Sequence, residues 1–187
     1  PQFDSWQDFE RSTQILVDTG AIEDTTRIWW DLRPSARYPT LEARIMDVQP
    51  RLEHALTLAA LIQCIMRMLW RLRVRNQRWR LYDRFLIGEN RWRAQRYGVS
   101  EGLIDFGAAQ VVPFDQLAED LLDLIEEDAV ALKCLTEVAR VREIVEHGTS
   151  ADRQRAVYAR AEADGADHEG RMRAIVHHLI DEYHADL

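Results

Sequence analysis

Only two stretches of this 187-residue chain have the composition of β-strands, and both lie near its start. Residues 27–32 ("RIWWDL") and 40–47 ("TLEARIMD") are rich in β-forming residues, and the prolines between them in "RPSARYP" are typical of a loop. Two strands cannot bury a sheet face by themselves. The sequence therefore predicts an α+β protein in which a β-hairpin is part of a larger antiparallel sheet.

The remainder of the chain has the apolar spacing of helices. Predicted helices cover residues 4–19, 51–74, 76–97, 115–129, 132–147, a segment from 149 and 168–184. Asp4 or Ser5 is placed to cap the first helix, and Thr149 with Asp152 predicts a capping box for the segment from 149. We interpret residues 1–187 as a single partial domain, with a helix and two strands in 1–49 and a mostly helical region in 50–187. Because the chain begins with Pro1 and not with methionine, we expect it to be a piece of a longer polypeptide.

The charge distribution argues against a nucleic-acid partner. Residues 67–98 contain ten arginines and two acids, interleaved with tryptophans that would suit single-stranded nucleic acid. However, the net charge is −8 and residues 99–187 contain twenty acids against eight bases. Intramolecular ion pairs explain the arginines better, so we expect no nucleic acid partner.

The sequence indicates a soluble, cytoplasmic protein with no membrane partner. It shows no signal peptide, and the apolar run 55–66 is short for a bilayer span, so we predict a buried core helix there. The two cysteines, Cys64 and Cys134, are seventy positions apart in helical segments, which is typical of reduced thiols.

The two predicted strands carry acid–arginine pairs two positions apart. Side chains alternate along a strand, so Asp31 and Arg33 share one face, as do Glu42 and Arg44. The alternate positions are apolar and are expected to pack on helices: Ile28, Trp30 and Leu32, with Leu41, Ala43 and Ile45. One interpretation of the charged faces is cross-strand ion pairing on a solvated sheet. The other is a nucleotide site, with a carboxylate for Mg²⁺ and an arginine for the γ-phosphate.

Several ordered motifs favour the second interpretation. The segment "IWWDLRPSARYPTLEARIMDVQ" resembles the signature of the carboxylate–amine ligases called glutamate–cysteine ligase type 2. The resemblance extends to "SWQDF" (5–9), "ENRWRAQRYGV" (89–99), "GLIDF" (102–106) and "GTSADRQ" (148–154). It implies the C-terminal part of a glutamine synthetase-like fold, whose curved antiparallel sheet forms an active-site funnel with helices behind it.

The resemblance also implies a reaction and roles for individual residues. In this family ATP converts a carboxylate, usually that of glutamate, into an acyl phosphate, which an amine then attacks. Glu42 is the implied Mg²⁺ ligand, and Arg44 is implied to bind and stabilise the phosphate. Arg33 is a second candidate for phosphate or a substrate carboxylate, and Asp31 is expected only to orient it. Arg91 and Arg96 fall in a matching motif and are candidates for cofactor binding.

Three expectations remain open at this level. The matching family is about twice as long, so the missing N-terminal half would be a partner and the isolated chain would be inactive. In the last helix His177/Asp181 and His178/Glu182 are spaced to clasp a metal, although surface ion pairs are the more ordinary interpretation. The alternative function is a non-catalytic helical interaction or regulatory module, which could form a homo-oligomer.

Overall fold

The chain divides into two compact units, residues 1–47 and 48–187. The structure, a computed structural model, describes residues 3–35 and 37–185. Within these ranges it is α+β and mostly helical, as predicted. It has two small antiparallel hairpins, of which only the first was predicted. The interpretation of residues 1–187 as a single partial domain stays a prediction.

The first unit contains one helix, a short helical turn and a hairpin. Helix α1 is Trp6–Asp18, and it begins at Ser5 because the Ser5 hydroxyl accepts a hydrogen bond from the Asp8 backbone N–H at 3.1 Å. A 3₁₀ turn follows at Thr25–Arg27, and then strands β1, Leu32–Pro34, and β2, Leu41–Ala43. Helix α1 therefore occurs where it was predicted, whereas the strands differ from the prediction.

Both strands are shorter than predicted. Asp24 caps the 3₁₀ turn by accepting the Thr26 backbone N–H at 2.7 Å, and this removes the start of the predicted strand 27–32 from the ladder. The strands pair antiparallel with Arg33 opposite Glu42, and one further hydrogen bond joins the Arg44 N–H to the Asp31 carbonyl at 2.7 Å. Strand β2 ends at Ala43, so residues 44–47 of the predicted strand lie outside it.

The predicted packing of the hairpin's apolar face on helices is wrong for three of its residues. Leu32, Leu41 and Ile45 are about half exposed, whereas Ile28 is buried. The first unit has no helix other than α1 in its described residues, so it offers little to cover a sheet face. The apolar positions were correctly assigned to the face opposite Arg33 and Glu42, but their cover is not supplied within this unit.

The second unit is built around three packed helices. Its elements are α2 (Leu52–Val74), α3 (Arg84–Tyr97), β3 (Leu103–Asp105), β4 (Gln110–Val112), α4 (Phe114–Leu132), α5 (Leu135–Ala139), α6 (Val141–His147), α7 (Ser150–Ala163) and α8 (His168–His184). Helix α2 packs on α4 and α5 around Cys64 and Ile125. By length and composition alone α2 could also cross a membrane, but its buried face is that of a core helix.

Three features of the second unit differ from the prediction. Helix α2 ends at Val74, as predicted, but Asn76 has a left-handed φ of 57° and residues 76–83, which were predicted to be helical, are not. Helix α3 begins only after Asp83, whose carboxylate accepts the Phe85 N–H at 2.7 Å. Residues 103–112 form a hairpin, β3 against β4, and the predicted helix 132–147 divides at Arg140 into α5 and α6.

Two of the resembling motifs contact each other. Asn90, on α3, makes a pair of hydrogen bonds with the backbone of Ile104, on β3, at 2.8 and 2.9 Å. One turn later Arg93 donates to the carbonyls of Gly102 and Glu101 at 3.3 and 3.1 Å. Asn90 and Arg93 therefore attach α3 to the β3–β4 hairpin, which is a structural role.

A third motif, "GTSADRQ", joins α7 to α8. Thr149 and Asp152 form the predicted capping box at the start of α7. Arg153 donates to the Gly148 carbonyl at 2.8 Å and to the carboxylate of Glu182, on α8, at 2.5 Å. Glu182 also accepts from Arg51 at 3.2 Å, so this buried carboxylate connects three helical segments.

The most deeply buried charge in the second unit is Asp128. Its side chain is fully buried on α4 and accepts hydrogen bonds from Arg67 and, at 2.8 Å, from Arg71. Burial alone would raise the pKa of Asp128, but the hydrogen bonds from Arg71 and Arg67 outweigh it and hold the pKa below its usual range. Asp128 therefore stabilises the fold as a paired anion.

We expect Asp128→Asn to lower the free energy of unfolding by about 3 kcal/mol at pH 7, because Arg67 and Arg71 lose the buried carboxylate that binds both of them. A carboxylate with a lowered folded pKa stabilises the protein above its unfolded pKa, and this stabilisation is lost as the pH falls through the folded value. The difference in free energy of unfolding between variant and wild type should therefore narrow on acidification below about pH 4. Urea unfolding at several pH values measures this difference, with the exposed Asp120→Asn as the control. A gap that does not depend on pH would contradict the assignment.

Candidate functional site

Three charged side chains on the β1–β2 hairpin form a continuous ion-pair cluster. Arg33 Nε lies 2.7 Å from Glu42 Oε2, and Arg44 Nη2 lies 2.7 Å from Glu42 Oε1. The side chains are 13%, 41% and 36% exposed for Arg33, Glu42 and Arg44. The structure thus brings together the three hairpin residues predicted for the site, on the face opposite Leu32 and Leu41.

Arg33 is fixed by the backbone that precedes the hairpin. Its Nη1 donates to the carbonyl oxygens of Thr26 at 2.7 Å and of Ile28 at 2.8 Å. These carbonyls are available because the 3₁₀ turn at Thr25–Arg27 leaves them outside any sheet ladder. The carbonyls of Thr26 and Ile28, together with Glu42, therefore orient the Arg33 guanidinium. An orienting role for Asp31 stays a prediction.

Arg44 is held more loosely than Arg33. Its guanidinium lies 5.3 Å from the centre of the Trp29 ring, and the indole itself is 78% exposed. Arginine pairs with carboxylates and phosphates through a planar fork of donors, and it also stacks on aromatic rings. Arg44 is therefore presented to solvent by a charge partner and an aromatic face, and it can bind an anion.

Glu42 is an ionised carboxylate at neutral pH. Its hydrogen bonds with Arg33 and Arg44 hold the pKa of its carboxyl below the usual range. A carboxylate has about four lone-pair positions on its two oxygens, and the two arginines use one on each. Glu42 can therefore accept a cation without giving up either arginine.

Glu42 supplies at most one ligand of a metal site. Among the residues that the structure describes, no three histidine, cysteine or acidic side chains lie close enough together to hold a metal. Mg²⁺ is commonly bound through one or two carboxylates together with substrate phosphates. The oxygen chemistry of Glu42 fits Mg²⁺, but the remaining ligands must come from a nucleotide or from further residues.

Glu42 and Arg33 line a hollow of about 300 Å³ within the first unit. Its other lining residues are mostly hydroxyl-bearing or basic: Thr25, Thr26, Pro34, Ser35, Arg37 and Tyr38. We did not predict Arg37 or the threonines, because "RPSARYP" was interpreted only as a loop. An arginine in the loop that joins two strands with acid–arginine pairs is the signal that could have found Arg37.

The other predicted site residues lie in the second unit. Arg91 and Arg96 are exposed on α3, and the Arg96 guanidinium lies 5.7 Å from the centre of the Tyr97 ring. Their role in cofactor binding stays a prediction. The interpretation of His178 and Glu182 as a surface ion pair is wrong about exposure: His178 Nε2 is 3.6 Å from Glu182 Oε2, and Glu182 is only 3% exposed.

The second unit contains a larger hollow, of about 710 Å³, beside the start of α4. Its charged lining residues are Glu101, Asp115, Glu119, Arg142 and Glu146. Arg142 donates to both carboxylate oxygens of Glu119 at 2.6 Å, so the guanidinium in this lining already has a bidentate partner. The hollow is acidic and has no motif residue suited to phosphate, so the smaller hollow is the better candidate for the chemistry.

Comparisons with known proteins give a consistent result. The family model described as glutamate–cysteine ligase family 2 matches residues 1–178. The chain is 64% identical over all 187 residues to a protein of Ruegeria pomeroyi, covering 48% of that protein, and 58% identical over 187 residues to one of Jannaschia sp., covering 49%. A protein of Solibacter usitatus is 40% identical over 181 residues, 96% of this chain and 45% of that protein. All three carry the name "Putative glutamate--cysteine ligase 2", and the chain spans about half their length.

Proposed function

Because the chain belongs to the glutamate–cysteine ligase family 2, we propose that it forms part of an ATP- and Mg²⁺-dependent carboxylate–amine ligase. Arg33, Glu42 and Arg44 would belong to its nucleotide site. The observation that supports this most is the ionised Glu42 between two guanidiniums at the edge of a polar hollow. Ion pairing on a solvated sheet would also account for the paired charges. It would not explain why Arg33 is mostly buried and donates to three acceptors.

The proposed reaction makes an acyl phosphate from a glutamate-like carboxylate and ATP, and an amine then displaces the phosphate. Both steps concentrate negative charge on phosphoryl oxygens, so positioned cations supply much of the catalysis. Arg44 would bind the transferring phosphoryl group with its planar fork. Arg33, which lines the hollow, would hold Glu42 in place and would help to bind phosphate or a substrate carboxylate.

Glu42 would be the Mg²⁺ ligand of this chain. Mg²⁺ held there would supply positive charge that neutralises the phosphoryl group during transfer. Arg33 and Arg44 place two positive charges beside Glu42, which disfavours binding of a free cation there. The phosphates of ATP offset that repulsion, so Glu42 is suited to the metal complex of a nucleotide and not to Mg²⁺ alone.

The hairpin would join a larger antiparallel sheet of a glutamine synthetase-like fold. The exposed Leu32, Leu41 and Ile45 support this, because they belong to the apolar face that the helices of a complete fold would cover. The isolated chain would then be inactive, and the ligase would work in the cytoplasm. A hybrid ligase, in which this chain replaces the matching part of the Ruegeria pomeroyi protein, provides the test.

We expect the hybrid ligase to release ADP when glutamate, an amine such as cysteine and Mg·ATP are mixed. The chain alone should release none above the rate without enzyme. If the hybrid folds and binds neither nucleotide nor glutamate, the ligase proposal is contradicted, and a non-catalytic module becomes the better account.

Replacing Arg44 by lysine in the hybrid ligase should lower the rate of ADP release about a hundredfold. Lysine keeps the charge but cannot provide the planar fork of donors that matches a phosphoryl group. Arg27→Lys is the control, because Arg27 is an exposed arginine paired with Glu23 in the same unit. Equal rates for the two variants would show that Arg44 does not contact the transferred group.

A further inference from the structure

Polar contacts attach helix α3 to the β3–β4 hairpin. Asn90 and Arg93 attach it to β3, and Asp83 caps its start, yet no residue of α3 is buried. Its stability therefore depends on a few polar contacts along one face. A helix in a globular protein normally buries an apolar stripe, which α3 does not do in this chain.

The face of α3 turned away from Asn90 carries two aromatic side chains and a glycine. Phe85, Gly88 and Trp92 follow one another at i, i+3 and i+7, so they share a side of the helix. Phe85 is 77% exposed and Trp92 is 50% exposed. A Cβ added at Gly88 would meet no atom within 4 Å. This side, which we call the Phe85–Trp92 face, therefore has two projecting rings with an open position between them along the helix.

The segment before this face is also exposed, and it combines apolar with basic side chains. Val74 and Leu81 are 66% and 73% exposed, and every residue from 73 to 81 is exposed. Residues 73–92 contain six arginines against two acids. Monomeric soluble proteins rarely leave large apolar side chains uncovered over such a continuous stretch, and surfaces of this kind usually bind a protein partner.

We propose that the Phe85–Trp92 face binds the part of a full-length family 2 ligase that this chain does not match. The chain covers about half of its relatives, so a comparable length of polypeptide is available to cover this surface. The partner segment would place an apolar side chain over Gly88. It would place carboxylates near Arg84 and Arg96, which lie four residues before Gly88 and four residues after Trp92.

A second copy of this chain is a poorer occupant of the same face. In a two-fold dimer the same patch meets itself, so the arginines of one copy would face those of the other. Like charges brought together across an interface cost several kcal/mol. The basic charge of the segment therefore favours a different and acidic partner surface.

Co-expression tests this proposal. The 187-residue chain is produced together with a tagged, separate polypeptide that corresponds to the unmatched part of the Ruegeria pomeroyi protein. We expect the two to purify as a 1:1 complex by light scattering. Gly88→Gln and Phe85→Asp should each reduce the amount of co-purified chain at least tenfold. Val176→Asp, which alters another exposed apolar residue, on α8, should leave it unchanged.

Gly88→Gln separates binding from folding. Gln is a better helix former than Gly, and a Cβ at this position meets no atom within 4 Å, so the thermal midpoint of the isolated variant should not fall. Loss of the complex without loss of stability supports the proposal. Unchanged co-purification of both variants overturns it, as does a homodimer of the chain alone that Gly88→Gln disrupts. Complex formation needs no turnover, so this result is independent of the roles proposed for Glu42 and Arg44.

Discussion

Replacing Glu42 by glutamine is expected to lower ADP release by the hybrid ligase about a thousandfold. Glutamine has nearly the shape of glutamate and can still accept from one arginine, but it lacks the negative charge that a magnesium ligand requires. It also leaves Arg33, which is mostly buried, without its anionic partner. The loss should appear in kcat more than in the KM for glutamate, because phosphoryl transfer depends on stabilised charge.

The control for this variant is Glu23→Gln. Glu23 is an exposed acid of the same unit and pairs with Arg27 at 2.8 Å, away from the hydrogen bonds of the hairpin. We expect Glu23→Gln to retain the rate of ADP release. If Glu42→Gln also retained it in a folded hybrid, the cluster would be an ordinary surface ion pair and the proposed site would be wrong.

Replacing Gly102 by alanine is expected to destabilise the second unit by about 3 kcal/mol or more. Gly102 has a φ of +69°, and an added Cβ would lie 2.2 Å from the Val112 carbonyl oxygen and 2.8 Å from its carbon. Those atoms are backbone and cannot rotate away, so β4 would have to move. The strain of the left-handed conformation adds to this cost. The Gly102 carbonyl accepts a hydrogen bond from Arg93, so the attachment of α3 should weaken as well.

Gly88→Ala is the matched control for Gly102→Ala. Gly88 lies within α3 with no atom near an added Cβ, so alanine there should stabilise the isolated chain by about 0.5–1 kcal/mol. Thermal unfolding of the 187-residue chain distinguishes the two. We expect the midpoint to fall by about 10 °C for Gly102→Ala and to rise slightly for Gly88→Ala. Equal midpoints would mean that the close approach of β3 and β4 at Gly102 is not maintained.

Helix positions were predictable because local chemistry sets them. The Ser5 cap of α1 and the Thr149–Asp152 capping box of α7 act over three residues, and both occur as predicted. The start of α3 was missed because segment 76–83 has a helical composition, yet residues 76–81 are exposed and bury no apolar face. There the left-handed Asn76 and the cap at Asp83 decide the boundary.

The charged face of the hairpin was predictable, and its surroundings were not. Alternation along the strands placed Arg33 and Glu42 on one side, and the pairing of Arg33 with Glu42 agrees with it. The contacts of Arg33 with Thr26 and Ile28 depend on a 3₁₀ turn that a strand-like composition concealed. The arginine of the loop, Arg37, reaches the hollow through the path of the chain, which residue spacing does not encode.

The dependence of ADP release on Mg²⁺ concentration in Glu42→Asp tests the central claim most directly. Aspartate keeps the charge but shortens the side chain by one methylene, so the hybrid ligase should retain measurable activity with a displaced ligand. At a fixed ATP concentration, we expect the half-saturating Mg²⁺ concentration to rise at least tenfold, whereas Glu23→Asp should leave it unchanged. An unaltered Mg²⁺ dependence in Glu42→Asp would show that the hairpin carboxylate does not bind the metal of the nucleotide.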